Sequence, residues 1–149
     1  MGSYTQIIYQ IVIATQSRRK ILSKPNRTQL YKYISGIIKN KSCILFAING
    51  TENHFHLVIS LHPSVALADL VREIKTSSNK FIKEQSLFPE FQSWGVGYGA
   101  FTYSVEALSN LIRYVENQEE HHRKTAFKTE FVDLLEAHRI SYKEDYLFL

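Results

Sequence analysis

The sequence predicts an α+β fold: a ferredoxin-like split β-α-β with element order βαββαβ, an antiparallel sheet, and one added C-terminal helix. Three observations carry this. Apolar residues alternate as in strands over 4–15, 43–49, 54–61 and 101–103. They recur at helical spacing after Pro25 and again after Ser64. Gly50-Thr51-Glu52-Asn53 separates the second and third strands by a turn only, so those two form a hairpin. In such a sheet the first and third strands are central, and the first two helices cover one face.

Each element has its own justification. Residues 4–15 are β-branched and aromatic on both alternation sets, as a central strand requires. Arg18-Arg19-Lys20 follows its end. Asn26 is the expected cap of a helix whose buried set is Leu30, Tyr33, Ile34, Ile37 and Ile38. Ser64 is the expected cap of a second helix, with Leu67, Leu70, Val71, Ile74, Ser78, Phe81 and Ile82 inward and Arg72, Lys75, Asn79 and Lys83 outward. Ser104 opens a third helix, expected to run to about residue 124 with Leu108, Leu111, Ile112 and Val115 buried. Phe127, Phe131, Leu134 and Leu135 mark a short terminal helix, and the aromatic tail 142–149 is expected to pack or to dimerise.

With 149 residues the chain has the length of one domain with a full core, so residues 1–149 are expected to form a single unit. The net charge of +4 and a pI near 9.1 suit a polyanionic partner. Cys43 is the only cysteine, which excludes a disulfide framework and a cysteine-based zinc site. No apolar run approaches the roughly 18 residues of a membrane span, and no signal-type N-terminus is present, so a cytoplasmic protein is expected. The glycine-rich run Gly95-Val96-Gly97-Tyr98-Gly99-Ala100 lacks the preceding strand and following helix of a dinucleotide fingerprint. Close backbone packing or a kinked strand explains it better. No Gly-x-x-x-x-Gly-Lys-Ser/Thr loop exists, so no nucleotide cofactor is expected.

The chemistry centres on Asn53-His54-Phe55-His56-Leu57-Val58-Ile59-Ser60. Side chains alternate along a strand, so His54 and His56 share a face, with Cα atoms roughly 6 to 7 Å apart. That spacing lets two imidazoles bind one divalent ion. Tyr114 and Gln118 stand four apart on the third helix, about 40° from each other around its surface. They lie on the shoulder between its buried and exposed faces, and His121 continues the line. A phenolate can form a phosphodiester that conserves the energy of the bond it breaks, which suits cut-and-rejoin chemistry. An ion between His54, His56 and the Gln118 carbonyl would leave positions for the oxygens of a scissile phosphate.

His54-Phe55-His56 followed by Tyr114-x-x-x-Gln118 resembles the HUH single-tyrosine transposases of small bacterial insertion sequences and their repeat-associated relatives. The resemblance extends to the opening strand with Arg18-Arg19-Lys20, to Lys75-Thr76-Ser77-Ser78, to Tyr98-Gly99-Ala100-Phe101, and to Asn117 and His122. It implies that His54 and His56 are the metal pair, Gln118 the third ligand, Tyr114 the nucleophile, and Mg2+ or Mn2+ the ion. It also implies a homodimer acting on single-stranded DNA beside short hairpins through a 5′-phosphotyrosine. Arg18, Arg19, Lys20, Arg72 and Lys75 are the candidate DNA-backbone contacts, with exposed tyrosines or Trp94 for base stacking. No dedicated general base is evident; a water, His121 or His122 are the candidates. Two alternatives share these residues: a domesticated or replication-type nickase, and a ferredoxin-like single-strand binding module without catalysis.

Overall fold

The computed structural model describes residues 1–149, and its four strands form one antiparallel sheet in the order β2-β3-β1-β4. The strands are β1 (Ile8–Ala14), β2 (Ile44–Gly50), β3 (His54–Ser60) and β4 (Gly99–Tyr103). The first and third strands are central, as the split β-α-β pattern predicts. Helices α1 (Lys24–Asn40) and α2 (Leu67–Gln85) cover one face. There Ile11, Ile13, Phe55, Leu57 and Ile59 from the sheet meet Leu30, Ile34, Ile38, Leu70, Ile74 and Ile82 from the helices. Each of these side chains is almost fully buried, and such burial stabilises by roughly 1.5–3 kcal/mol per large aliphatic group.

The other face carries α3 (Leu108–Glu116), α4 (Gln118–His122) and α5 (Phe127–Ala137). It holds two smaller apolar clusters, Ile8, Ala47, Val58, Leu111 and Val115 in one and Val12, Phe101, Phe127 and Leu135 in the other. Between them lie the polar side chains of His54 and His56. The tail packs rather than projecting: Phe148 lies against Phe127 and Phe131, with ring centroids 5.2 and 5.6 Å away. No helix is long and apolar enough to cross a membrane.

Several local expectations are corrected. The first strand begins at Ile8, and Tyr4 is exposed. Helix α1 starts at Lys24 after Ser23, while the Asn26 carboxamide donates to the Leu87 carbonyl at 2.8 Å and ties α1 to the end of α2. Helix α2 starts after Ala66, and the Ser64 hydroxyl donates instead to His62 Nδ1 at 2.7 Å. Trp94 is not available for stacking: it is buried against Phe55 and Phe91, and its indole N–H donates to Ser78 Oγ at 2.9 Å.

The expected third helix is interrupted at Asn117, leaving Tyr114 on α3 and Gln118 at the start of α4. Asn49 on β2 donates its side-chain N–H to the Glu116 carbonyl at 2.8 Å. A sheet residue thus partners a helix-end carbonyl beside the interruption. The close-packing reading of the glycine run holds at Gly99, where a Cβ would come 2.6 Å from the Phe131 ring.

Candidate active site

The hairpin sets the position of His54. A Cβ on Gly50 would lie 2.0 Å from the His54 carbonyl oxygen, so only glycine permits this turn. The following strand alternation brings His54 and His56 to one face, ring centroids 5.1 Å apart, with no solvent exposure on either. Opposite them stand Tyr114 from α3, Gln118 and His122 from α4, and Glu130 from α5.

Hydrogen bonds orient both rings from behind. His54 Nδ1 lies 2.8 Å from Asn53 Oδ1, and His56 Nδ1 lies 2.6 Å from Gln10 Oε1. Gln10 in turn donates its N–H to the Tyr103 hydroxyl at 2.7 Å, which leaves its carbonyl oxygen toward His56. Each Nδ1 therefore carries the proton, and each Nε2 points into the site, the arrangement typical of metal-binding histidines. Burial and the neighbouring His56 hold His54 well below the ordinary imidazole range, so its Nε2 bears a lone pair.

That lone pair faces the Gln118 carbonyl oxygen at 3.0 Å. The amide nitrogen of Gln118 is committed to Glu130 Oε2 at 2.9 Å, so two acceptors confront each other with no proton between them. His56 Nε2 lies 2.9 Å from Glu130 Oε1, and His122 Nε2 lies 3.1 Å from the same oxygen. Two ligands each about 2.1 Å from one ion and at right angles are about 3.0 Å apart, so these separations fit neighbouring positions around a small divalent cation. The potential ligand atoms of His54, His56, His122 and Glu130 all lie within 4.8 Å of one another. Imidazole nitrogen with carboxamide and carboxylate oxygen suits an intermediate cation such as Mn2+ and admits Mg2+.

Glu130 is the residue that sequence reasoning missed. Burial alone would raise its pKa, but the neighbouring His122 and His56 imidazoles and the hydrogen bond from the Tyr114 hydroxyl outweigh that and hold it ionised. Tyr114 donates its phenolic O–H to Glu130 Oε2. Burial, and then the hydrogen bond and charge of Glu130, push the phenol far above its ordinary range. His122 is also governed by Glu130: burial lowers it, yet the Glu130 carboxylate and the Thr125 carbonyl raise it overall. The available signal for Glu130 was a carboxylate three residues after Phe127, within the apolar stripe of the terminal helix.

The structure thus brings His54, His56, Tyr114 and Gln118 together within one chain. His121 lies at the edge, its Nε2 3.4 Å from Glu130 Oε2. Arg18 and Lys20 line a polar cleft that also reaches His122, and Arg19 lies beside it. Arg72 and Lys75 are elsewhere, on α2. Arg72 pairs with Asp69 at 2.9 Å, and Lys75 donates to the Gly95 carbonyl at 2.8 Å.

No curated protein matches the sequence. Among solved structures, the fold is similar to that of a candidate transposase from Deinococcus radiodurans R1, at a TM-score of 0.62 and 21% identity over 79% of this chain and 95% of that one. It is also similar to a REP-associated tyrosine transposase bound to a REP hairpin, at a TM-score of 0.60 and 15% identity over 82% of this chain and 74% of that one. The family described as Transposase IS200 like matches residues 3–118. With most of its length matched, through Gln118, the chain belongs to the IS200-like transposases, the HUH enzymes with a single tyrosine.

Proposed function

We propose that this chain cuts and rejoins single-stranded DNA beside short hairpins, with Tyr114 as nucleophile and His54, His56 and Gln118 holding Mg2+ or Mn2+. The observation that carries the reading is the convergence of the Tyr114 hydroxyl and the inward nitrogens of His54 and His56 on one buried point around Glu130. A hairpin-bound structural relative supports the substrate class.

Tyr114 oxygen attacks the scissile phosphorus in line, the bond to the 3′-oxygen breaks, and the DNA retains a 5′-phosphodiester to the phenol. A divalent ion held by His54, His56 and Gln118 would supply Lewis acidity to the phosphate. Glu130 is the carboxylate at the phenol and takes its proton, which passes on to the departing 3′-oxygen. Because a carboxylate is ordinarily a far weaker base than a phenolate, that transfer is uphill. It therefore proceeds with the attack on phosphorus rather than before it. A 3′-hydroxyl of another strand then attacks the same phosphorus, releases Tyr114 with its proton and rejoins the DNA, so no nucleotide cofactor is required.

His54, His56 and Gln118 are buried under α5. The scissile phosphate must reach the half-buried Tyr114 while its hydroxyl stays on Glu130. Arg18, Arg19 and Lys20 hold the DNA backbone at and beside the cleft that His122 lines. Arg72 and Lys75 lie on the far helical layer, where only a strand wrapping round the molecule would meet them. The same reading makes the protein a cytoplasmic homodimer; Ile44, 58% exposed on the edge strand β2, supplies apolar surface for pairing. Each subunit then carries a complete set of its own site residues.

Incubation with a labelled hairpin-flanked oligonucleotide and Mg2+ or Mn2+ tests this reading. A covalent protein–DNA adduct that Tyr114→Phe abolishes supports it, whereas a salt-sensitive complex without an adduct supports a binding module.

A further inference from the structure

We propose that the cleft beside the histidine centre is a channel for the backbone of single-stranded DNA, and that Glu119 occupies a phosphate position within it. The inference rests on the DNA-cutting reading and extends it to a site with its own residues.

The cleft is a cavity of about 1030 Å³ between the start of α1, the segment after β1, and α4 with the start of α5. Its cations are Arg18, Lys20, Lys24, Arg27, Arg123 and Lys128, against the lining carboxylates of Glu52, Glu90 and Glu119; Arg123 also pairs with Glu120 at 3.1 Å and Lys128 with Glu144 at 2.9 Å. Only three of the residues around it are hydrophobic, too few to enclose a buried organic ligand, so its chemistry is that of a polyanion site. His122 lines the cleft and also contacts Glu130 Oε1 at 3.1 Å, so a single side chain separates the cleft from the centre.

Arg27 is the built part of this site. Its side chain is only 7% exposed, and one nitrogen is fixed by the Leu22 carbonyl at 2.8 Å. The other nitrogen meets Glu119 Oε1 at 3.2 Å, while Lys24 Nζ meets Glu119 Oε2 at 3.0 Å. One carboxylate thus bridges two cations with its two oxygens, as two oxygens of a phosphodiester would. Glu119 itself is 40% exposed, and its side chain can leave while Arg27 stays. Gln118 and Glu119 are adjacent on α4, so one short helix presents a ligand to the centre and this counter-ion to the cleft.

Binding of a fluorescein-labelled single-stranded oligonucleotide of mixed sequence, measured by anisotropy against salt, tests the channel. Lys20→Gln with Lys24→Gln, both at exposed positions, is expected to weaken binding about tenfold at moderate salt and to flatten the log–log salt slope by about 0.7 for each phosphate no longer neutralised. Glu119→Gln is expected to tighten binding severalfold. Lys83→Gln, at the end of α2 outside the cleft, is expected to bind as the native chain does. Unchanged binding and slope in the lysine double variant, or weaker binding in Glu119→Gln, overturns the channel. Adduct formation separates this from the reading beneath it. If the native chain forms the Tyr114 adduct while the cleft variants bind as it does, the channel fails alone. If no adduct forms but the cleft variants behave as stated, the channel stands and the chemistry fails.

Discussion

Tyr114 on α3 donates its hydroxyl to Glu130 on α5, and the same carboxylate meets His56 Nε2 at 2.9 Å through its other oxygen. A single side chain from beyond the family-matched residues therefore joins the phenol to the histidine pair.

The histidine pair depends on what holds it from behind. Gln10 is buried and fixes the His56 tautomer through its carbonyl oxygen. Gln10→Leu preserves much of the volume but leaves the His56 Nδ1 proton without an acceptor. Mn2+ affinity, measured by titration calorimetry, is expected to fall about 10- to 100-fold. Gln10→Glu, which restores an acceptor, is expected to recover most of it; equal affinity in all three chains would remove the positioning role.

How much of this was legible in the sequence differs from residue to residue. The shared face of His54 and His56 follows from strand alternation alone, and the central place of their strand follows from element order. The interruption at Asn117 was not legible, because Asn49 of a distant strand partners the helix-end carbonyl there. Glu130 escaped for a related reason. A carboxylate in an apolar stripe acquires meaning only once three histidines from other elements are seen around it. Asn26 and Ser64 have capping chemistry, but the fold gives their side chains to Leu87 and His62.

The turn before His54 has no room for a side chain. Gly50→Ala would set a Cβ 2.0 Å from the His54 carbonyl oxygen and 2.5 Å from Phe55 Cα, both backbone atoms. Unfolding by urea is expected to show a loss of about 2–4 kcal/mol. Mn2+ affinity is expected to fall as well, since His54 must move.

Metal binding should register as stability. At about 100 times its dissociation constant, Mn2+ is expected to stabilise the fold by about 2.7 kcal/mol, raising Tm by roughly 5 to 10 °C. EDTA should reverse the shift. His56→Ala should abolish it, and an equal rise in that variant would show that the ion binds elsewhere.

Glu119 links stability to pH. Hydrogen bonding to Lys24, with its charge and that of Arg27, holds the carboxyl below its ordinary value of 4.5. The ionised form is therefore favoured in the folded chain. Its contribution is present above the unfolded pKa and is lost as pH falls through the lower folded one. Because the pair is partly exposed, the effect is expected to stay below about 1 kcal/mol. Urea midpoints followed from neutral pH down through pH 4 should show a shallower decline in Glu119→Gln than in the native chain. A steeper decline in the variant would reverse the assigned sign.

The covalent linkage is the most direct measurement. A hairpin-flanked single-stranded oligonucleotide, incubated with the native chain and Mn2+ and resolved by intact-protein mass spectrometry, should yield a species heavier by one 5′-phosphorylated DNA fragment. Peptide mapping should place that fragment on Tyr114, and Tyr114→Phe should bind the oligonucleotide without gaining mass. An adduct mapped to a different residue, or persisting in Tyr114→Phe, would contradict the assignment of Tyr114 as the nucleophile.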